Sequence, residues 1–345
     1  MQRGVFICVA IGFLLTIGFD RSGPINPFPK PIDGAVAANS ATIDEANGQI
    51  IQIEGDVSLQ RENGQTLAPT TGTLLYPGDR LHSAGGLAFV QCSDLSIDAV
   101  GGRFSRRNPC ASVESFLARR NRDQCDADSY RCPNRGDENN TDEPTIPYVI
   151  SPRRTNLLNP RPQFRWNTVE NAQSYEVCLL EDEVLQQWCR EIDRAQMNYP
   201  AEESPLKPGK RYLLTVGTDR GTYAPSLKES GLFGGVGFKL LDTQQAEQIE
   251  EIRSRIESQD IDATAKALAI VLLYTDNGLI SEAIDILEAL VARGVDTAPI
   301  YDRLAWLYSD YLALESPDFP HALENALESE IELSDVESDR ITEID

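Results

Sequence analysis

The sequence predicts a multidomain α+β chain: a small all-β domain, then a two-sheet β-sandwich, then an all-α domain of helical repeats. Three observations predict it. Residues 43–115 alternate apolar and polar positions with frequent glycine, the pattern of short half-buried strands. Residues 148–241 return to apolar strands at even spacing, which suits two packed antiparallel sheets. From Gln244 onward glycine nearly disappears and the apolar period becomes helical.

Composition narrows the function classes before any motif is read. The chain has 345 residues, 54 acidic and 31 basic, for a net charge of −23. An acidic surface opposes sequence-independent nucleic-acid binding, which works by displacing phosphate counterions with basic side chains, and it opposes docking on anionic lipid heads. Only two histidines are present, His82 and His321. Most zinc sites, His-based triads and multi-histidine iron sites are thereby excluded, and no cofactor is expected. The charge is uneven. Residues 242–345 hold 25 acidic against 6 basic side chains, so −19 of the −23 lies there.

Residues 1–19 contain the apolar run GVFICVAIGFLLTIGF behind Arg3, short for a membrane span and suited to a signal peptide or anchor. Residues 20–42 are a Pro/Gly/Ala linker. Residues 116–147 are a polar, Cys-containing spacer, and residues 334–345 an acidic tail. Beyond Cys8 in the leader, six cysteines remain: Cys92, Cys110, Cys125, Cys132, Cys178 and Cys189. An even count in an exported chain predicts disulfides. Sequential pairs 92–110, 125–132 and 178–189 are expected because each falls within one module. The spacing of Cys125 and Cys132 is wrong for a thiolate metal site. Export to the periplasm or cell envelope follows, with no membrane contact beyond the leader.

In the first module, Gly55-Asp56-Val57 opens a strand. Gly72, Leu75 and Pro77-Gly78-Asp79-Arg80-Leu81 follow, then Ala88, Val90 and Asp94. Gly78-Asp79 is a turn signal between apolar stretches, and Asp79 reads as a turn-capping carboxylate rather than a catalytic one. This order of residues resembles the FecR-type periplasmic domain over residues 47–113. The resemblance implies a small β domain. FecR proteins relay an envelope signal through a cytoplasmic segment. Three residues precede the apolar run here, so an extracytoplasmic binding or spacer role is expected instead.

In the second module the strands expected are Tyr148–Ile150, Phe164–Trp166, Tyr175–Leu180, Leu185–Ile192, Tyr212–Gly217 and Phe238–Leu241. The motifs Pro162-x-Phe164-x-Trp166, Ala172-x-x-Tyr175-x-Val177 and Leu206-x-Pro208-Gly209-x-x-Tyr212 resemble fibronectin type III modules, within the Ig-like sandwiches. The resemblance implies that Trp166 fills the core and Tyr212 lies on a late central strand. It implies fold, not function.

In the third module, residues 242–333, two segments align. Tyr274 precedes the break Asp276-Asn277-Gly278, followed by Glu282-Ala283-Ile284 and Leu287. Leu304-Ala305 and Tyr308 precede a break with Pro317 and Pro320, followed by Ala322 and Ala326. Ala283 and Ala322 lie 39 residues apart, against a repeat period of about 34 for tetratricopeptide repeats, which the pattern resembles. An insertion near Glu315–Phe319 accounts for the difference. Helices at 244–258 and 321–333 are expected to cap the stack. The resemblance implies a concave groove lined by Leu268, Leu272, Asp302 and Trp306, with Trp306 either an anchor for a protein segment or part of the core.

Together these readings predict a non-enzymatic extracytoplasmic scaffold or adaptor that binds a protein partner, a basic one being favoured by the charge. The alternatives are a FecR-like envelope sensor and a carbohydrate or cell-wall binding accessory protein, for which cell-wall glycan is the partner.

Overall fold

In strand β1 (Gly48–Glu54) successive side chains point to opposite faces, yet Ile50 and Ile51 are both fully buried. The strand is covered on two sides, and that decides the architecture. The computed structural model describes residues 45–102, 106–116, 147–181, 185–221 and 236–312. The expected leader, linker, acidic tail and second capping helix lie outside the described residues, as do the Cys125–Cys132 pair and nearly all of the spacer.

The first unit is two antiparallel four-stranded sheets. One has the order β4 (Leu74–Leu75), β1, β6 (Leu87–Cys92), β7 (Ile97–Gly101). The other runs β3 (Thr66–Leu67), β2 (Val57–Gln60), β5 (Arg80–Ser83), β8 (Arg106–Arg107). Alternation sends Ile50, Leu59, Leu81 and Val90 into a core shared by both sheets. The Cys92–Cys110 disulfide is buried in that core, with Cα atoms 5.3 Å apart. Closing a loop of this length typically stabilises a fold by about 3 kcal/mol.

The second unit is a sandwich. Its larger sheet has the order β10 (Thr155–Leu157), β16 (Phe238–Leu240), β15 (Arg211–Thr218), β12 (Tyr175–Glu181), β13 (Leu185–Ile192). Its smaller sheet has the order β14 (Gln196–Asn198), β11 (Gln163–Trp166), β9 (Val149–Ser151). Phe164 and Trp166 from one sheet meet Tyr175, Val177, Trp188, Leu214 and Phe238 from the other. Trp166 is thus in the core, and Tyr212 is on a central strand with its hydroxyl accepting from the Lys207 amide at 2.8 Å. Cys178 and Cys189 face each other across β12 and β13 and are bridged. Among the described residues, all strand pairs are antiparallel except β10 with β16.

Helices close the described chain. Asp242 caps α1 (Thr243–Glu257) by accepting from the Gln245 amide. Asp262 caps α2 (Ala263–Asp276) by accepting from the Ala265 amide. Gly278, at φ 70°, turns the chain into α3 (Ile280–Ala292). Pro299 starts α4 (Ala298–Trp306), which runs into a π turn at Leu307–Tyr311. The order of β-sheets followed by helices is the predicted one. The helices do not keep to themselves: Ile51, Phe89 and Ile97 of the first unit pack into the same cluster as Leu268, Val271, Ile284 and Leu304.

Candidate partner interface

Helix α2 carries apolar side chains all round, so it needs neighbours on every side. One of them is the first sheet. Two glutamines that alternation would otherwise waste in a core, Gln49 of β1 and Gln91 of β6, turn toward it. Gln49 Nε2 donates to Gln91 Oε1 at 2.9 Å and to the Leu268 carbonyl at 3.3 Å, and Gln91 Nε2 donates to the Ala269 carbonyl at 3.3 Å. From α4, Arg303 Nη2 donates to Gln49 Oε1 at 3.4 Å. These buried amides are hydrogen-bonded, as burial requires, and they fix where α2 and α4 sit on the sheet.

The sandwich holds the same helices from another side. Helix α3 has no side-chain cap of its own. Thr155 of β10 supplies it, its Oγ1 accepting from the amides of Ile280 at 2.8 Å and Ser281 at 3.2 Å. Asn156 donates to the carbonyls of Asn277 and Gly278, and the Leu158 amide donates to Glu282 Oε1 at 2.9 Å. The other Glu282 oxygen is buried without a hydrogen-bond partner. Burial pushes this carboxyl up to about 7. Further along α3, Arg165 of β11 pairs with Glu288 at 3.0 Å and Asp285 at 3.3 Å, and the Tyr308 hydroxyl donates to Glu288 at 2.6 Å. Burial and the Glu288 carboxylate raise the pKa of that hydroxyl.

The four residues expected to line a groove divide into two pairs. Leu268 and Leu272 are 3% and 2% exposed. Leu268 packs in the cluster with Ile51, and Leu272 packs with Ala46 and Phe116. Asp302 and Trp306 stand one turn apart on α4. Asp302 is exposed and Trp306 half-buried, edge-on to Tyr311 with centroids 5.0 Å apart. Arg303 lies over the Trp306 ring at 5.6 Å and over Phe116 at 5.7 Å. The structure therefore brings Asp302 and Trp306 together at the surface, and it places Leu268 and Leu272 under the first sheet. A repeat pattern cannot foresee a sheet packed on the groove side of α2. Gln49, Gln91 and Thr155, which fix the helices, carry no motif; the adjacent apolar pair Ile50-Ile51, which breaks alternation in β1, is the nearest signal in the sequence.

Two other features lie on the β units. Asp79 accepts from the Tyr76 amide at 2.9 Å and from Arg61 at 2.6 Å, which is the turn-capping role. Burial raises its carboxyl pKa, and Tyr76 and Arg61 oppose that. A second site, an open cleft of about 510 Å³, lies on the sandwich between Ser174, Glu176, Cys189, Arg190, Glu191 and Asp219. Among the described residues, no group of three or more His, Cys, Asp or Glu could hold a metal ion, and no helix is long and apolar enough to cross a membrane. The two disulfides suit an oxidising, extracytoplasmic compartment. Compared with known proteins, the chain matches no family model, and no curated protein is similar to it in sequence.

Proposed function

We propose that the chain is a non-enzymatic extracytoplasmic scaffold. It engages a protein partner through its acidic C-terminal helices, read as a tetratricopeptide-like module behind a FecR-like β domain and an Ig-like sandwich. One observation carries this reading. The helices are gripped by both β units through buried polar contacts: Gln49 and Gln91 at α2, and Thr155 at α3. A partner seated on α4 is then held in a fixed position relative to both β units, as scaffolding requires. Asp302 and Trp306 supply a carboxylate and an aromatic one turn apart, a pairing suited to a basic segment with an apolar anchor. Acidity across residues 242–345 would steer such a segment in.

The test places a photo-crosslinking residue at position 305, a half-buried alanine between Asp302 and Trp306 on α4, in the full chain in its own envelope. One discrete adduct is expected, and Trp306→Ala should abolish it without changing the melting temperature by more than a few degrees. No adduct at position 305, or one indifferent to Trp306, would remove the helical face from the mechanism.

A further inference from the structure

In a chain of net charge −23, the first unit concentrates its cations in one place. Its described residues include four arginines. Arg61 is tied to Asp79. The other three, Arg80, Arg106 and Arg107, are all exposed on the neighbouring strands β5 and β8. Among the described residues none of the three has a carboxylate partner. Arg80 and Arg107 are directly opposite in register, so their side chains leave the same face. Like charges directly opposite on a sheet destabilise it; among the described residues the nearest carboxylates, Asp56 and Glu62, flank β2, and neither is paired with Arg80 or Arg107.

The rest of the face is polar. Gln60 is opposite Arg80, and Ser58 is opposite His82, with Gln60 Oε1 and His82 Nε2 3.4 Å apart. Alternation sends Leu59 and Leu81 inward, where both are buried. What points outward is guanidinium, imidazole, amide and hydroxyl, with no apolar side chain at these positions.

We propose that this outer face of the β3-β2-β5-β8 sheet is a binding site for an acidic polysaccharide. Arg80 and Arg107 hold a carboxylate between their two forked guanidinium groups, and Gln60, Ser58 and His82 meet the sugar hydroxyls. A protein partner would need an apolar anchor, which the face does not offer. Single-stranded nucleic acid would need aromatic platforms for its bases, and none stands at these positions. The disulfides place the domain in an oxidising compartment, where extracellular polysaccharides are found. The site is independent of the helical face, so the two can fail separately.

The experiment measures binding of the full chain to polygalacturonate, with neutral dextran as control, at low and high salt. Polygalacturonate should bind at low salt and weaken as salt rises, and dextran should not bind. Replacing both arginines (Arg80→Gln with Arg107→Gln) should weaken binding by about tenfold or more, since two charge-assisted contacts are lost. The melting temperature should hold or rise, because the opposed charges are gone. Arg107→Gln alone, on the edge strand, should give a partial loss and guards against misfolding of the double variant. Asp302→Lys should leave polygalacturonate binding intact. No binding at low salt, or equal binding by the double variant, overturns the proposal. So does tighter binding of single-stranded DNA or phosphatidylglycerol vesicles at the same arginines.

Discussion

Glu282 shows how much one side chain's setting departs from its sequence neighbourhood. In the sequence it is an acid in the first turn of a helix, where the dipole favours negative charge. In the fold its carboxyl is enclosed between α3 and the Leu158 amide, with one oxygen unpartnered. Asp285 on its own helix adds repulsion, the Leu158 and Glu282 amides oppose the effect of burial, and among the described residues no cation does. Its folded pKa of about 7 lies above the ordinary carboxylate value, so the folded state holds a proton that the unfolded chain releases. The contribution to stability is therefore full below about pH 4.5 and is lost as pH rises through 7. Glu282→Gln keeps an acceptor for the Leu158 amide and removes the titration. At pH 8 the variant should be more stable than the parent by about 1–2 kcal/mol, a discounted figure because part of the residue reaches solvent. At pH 4 the two should agree. Chemical denaturation from pH 5 to 8 checks this, since most other carboxylates have already titrated, and parallel curves would refute it. The same blindness to setting explains Leu268 and Leu272. Their helical spacing was legible in the sequence, but which face of α2 a sheet would cover was not.

At the scale of elements, what reads well is what local chemistry enforces. Helix α1 lies within a residue of its expected limits because Asp242 caps it, and α2 stops at the Asp276-Asn277-Gly278 break because Gly278 takes a left-handed conformation. The Cys92–Cys110 and Cys178–Cys189 pairs join neighbours in sequence, as expected of cysteines that fall within one module. Strands β10 and β14 were not legible. Each is three residues long, and β10, buried throughout, shows no alternation. Yet β10 is the strand that matters most to the helices. Its Thr155 caps α3 from 125 residues away in sequence. Thr155→Val keeps the shape and strands two amide donors at the helix start. It should cost about 1–2 kcal/mol, the range for losing a helix cap. Hydrogen exchange locates the effect: the first turn of α3 and the Asn277–Gly278 turn should exchange faster, while β12 and β15 keep their protection. Uniformly raised exchange across the sandwich would mean that Thr155 serves the core and not the cap.

For the molecule as a whole, the sequence reads as three modules in tandem, the last with only two helical repeats to stack. The described residues are joined more closely than that. Helix α2 buries Leu268, Val271 and Leu272 in clusters that include Ile51, Ala46 and Phe116 from the first unit. Gln52 accepts from the Asp262 amide at the start of α2, and Thr297 at the start of α4 donates to the Thr71 carbonyl. Arg153 reaches from the sandwich to the Leu312 carbonyl. Fully burying a leucine or valine side chain contributes about 1.5–3 kcal/mol. Three such residues on one helix face are a large share of the roughly 5–15 kcal/mol that keeps a typical domain folded. The helices should therefore depend on the first unit. A fragment of residues 242–312 should lack a cooperative thermal transition and bind a hydrophobic dye, whereas the full chain should melt in one transition with its disulfides intact. Ile51→Asp tests the same coupling from the sheet side. It buries an unpaired carboxyl beneath α2, so it should expose the helices to protease before the sandwich is cut. A fragment that melts cooperatively on its own, or an Ile51→Asp chain whose helices resist protease as well as the parent's, would mean that the units only touch.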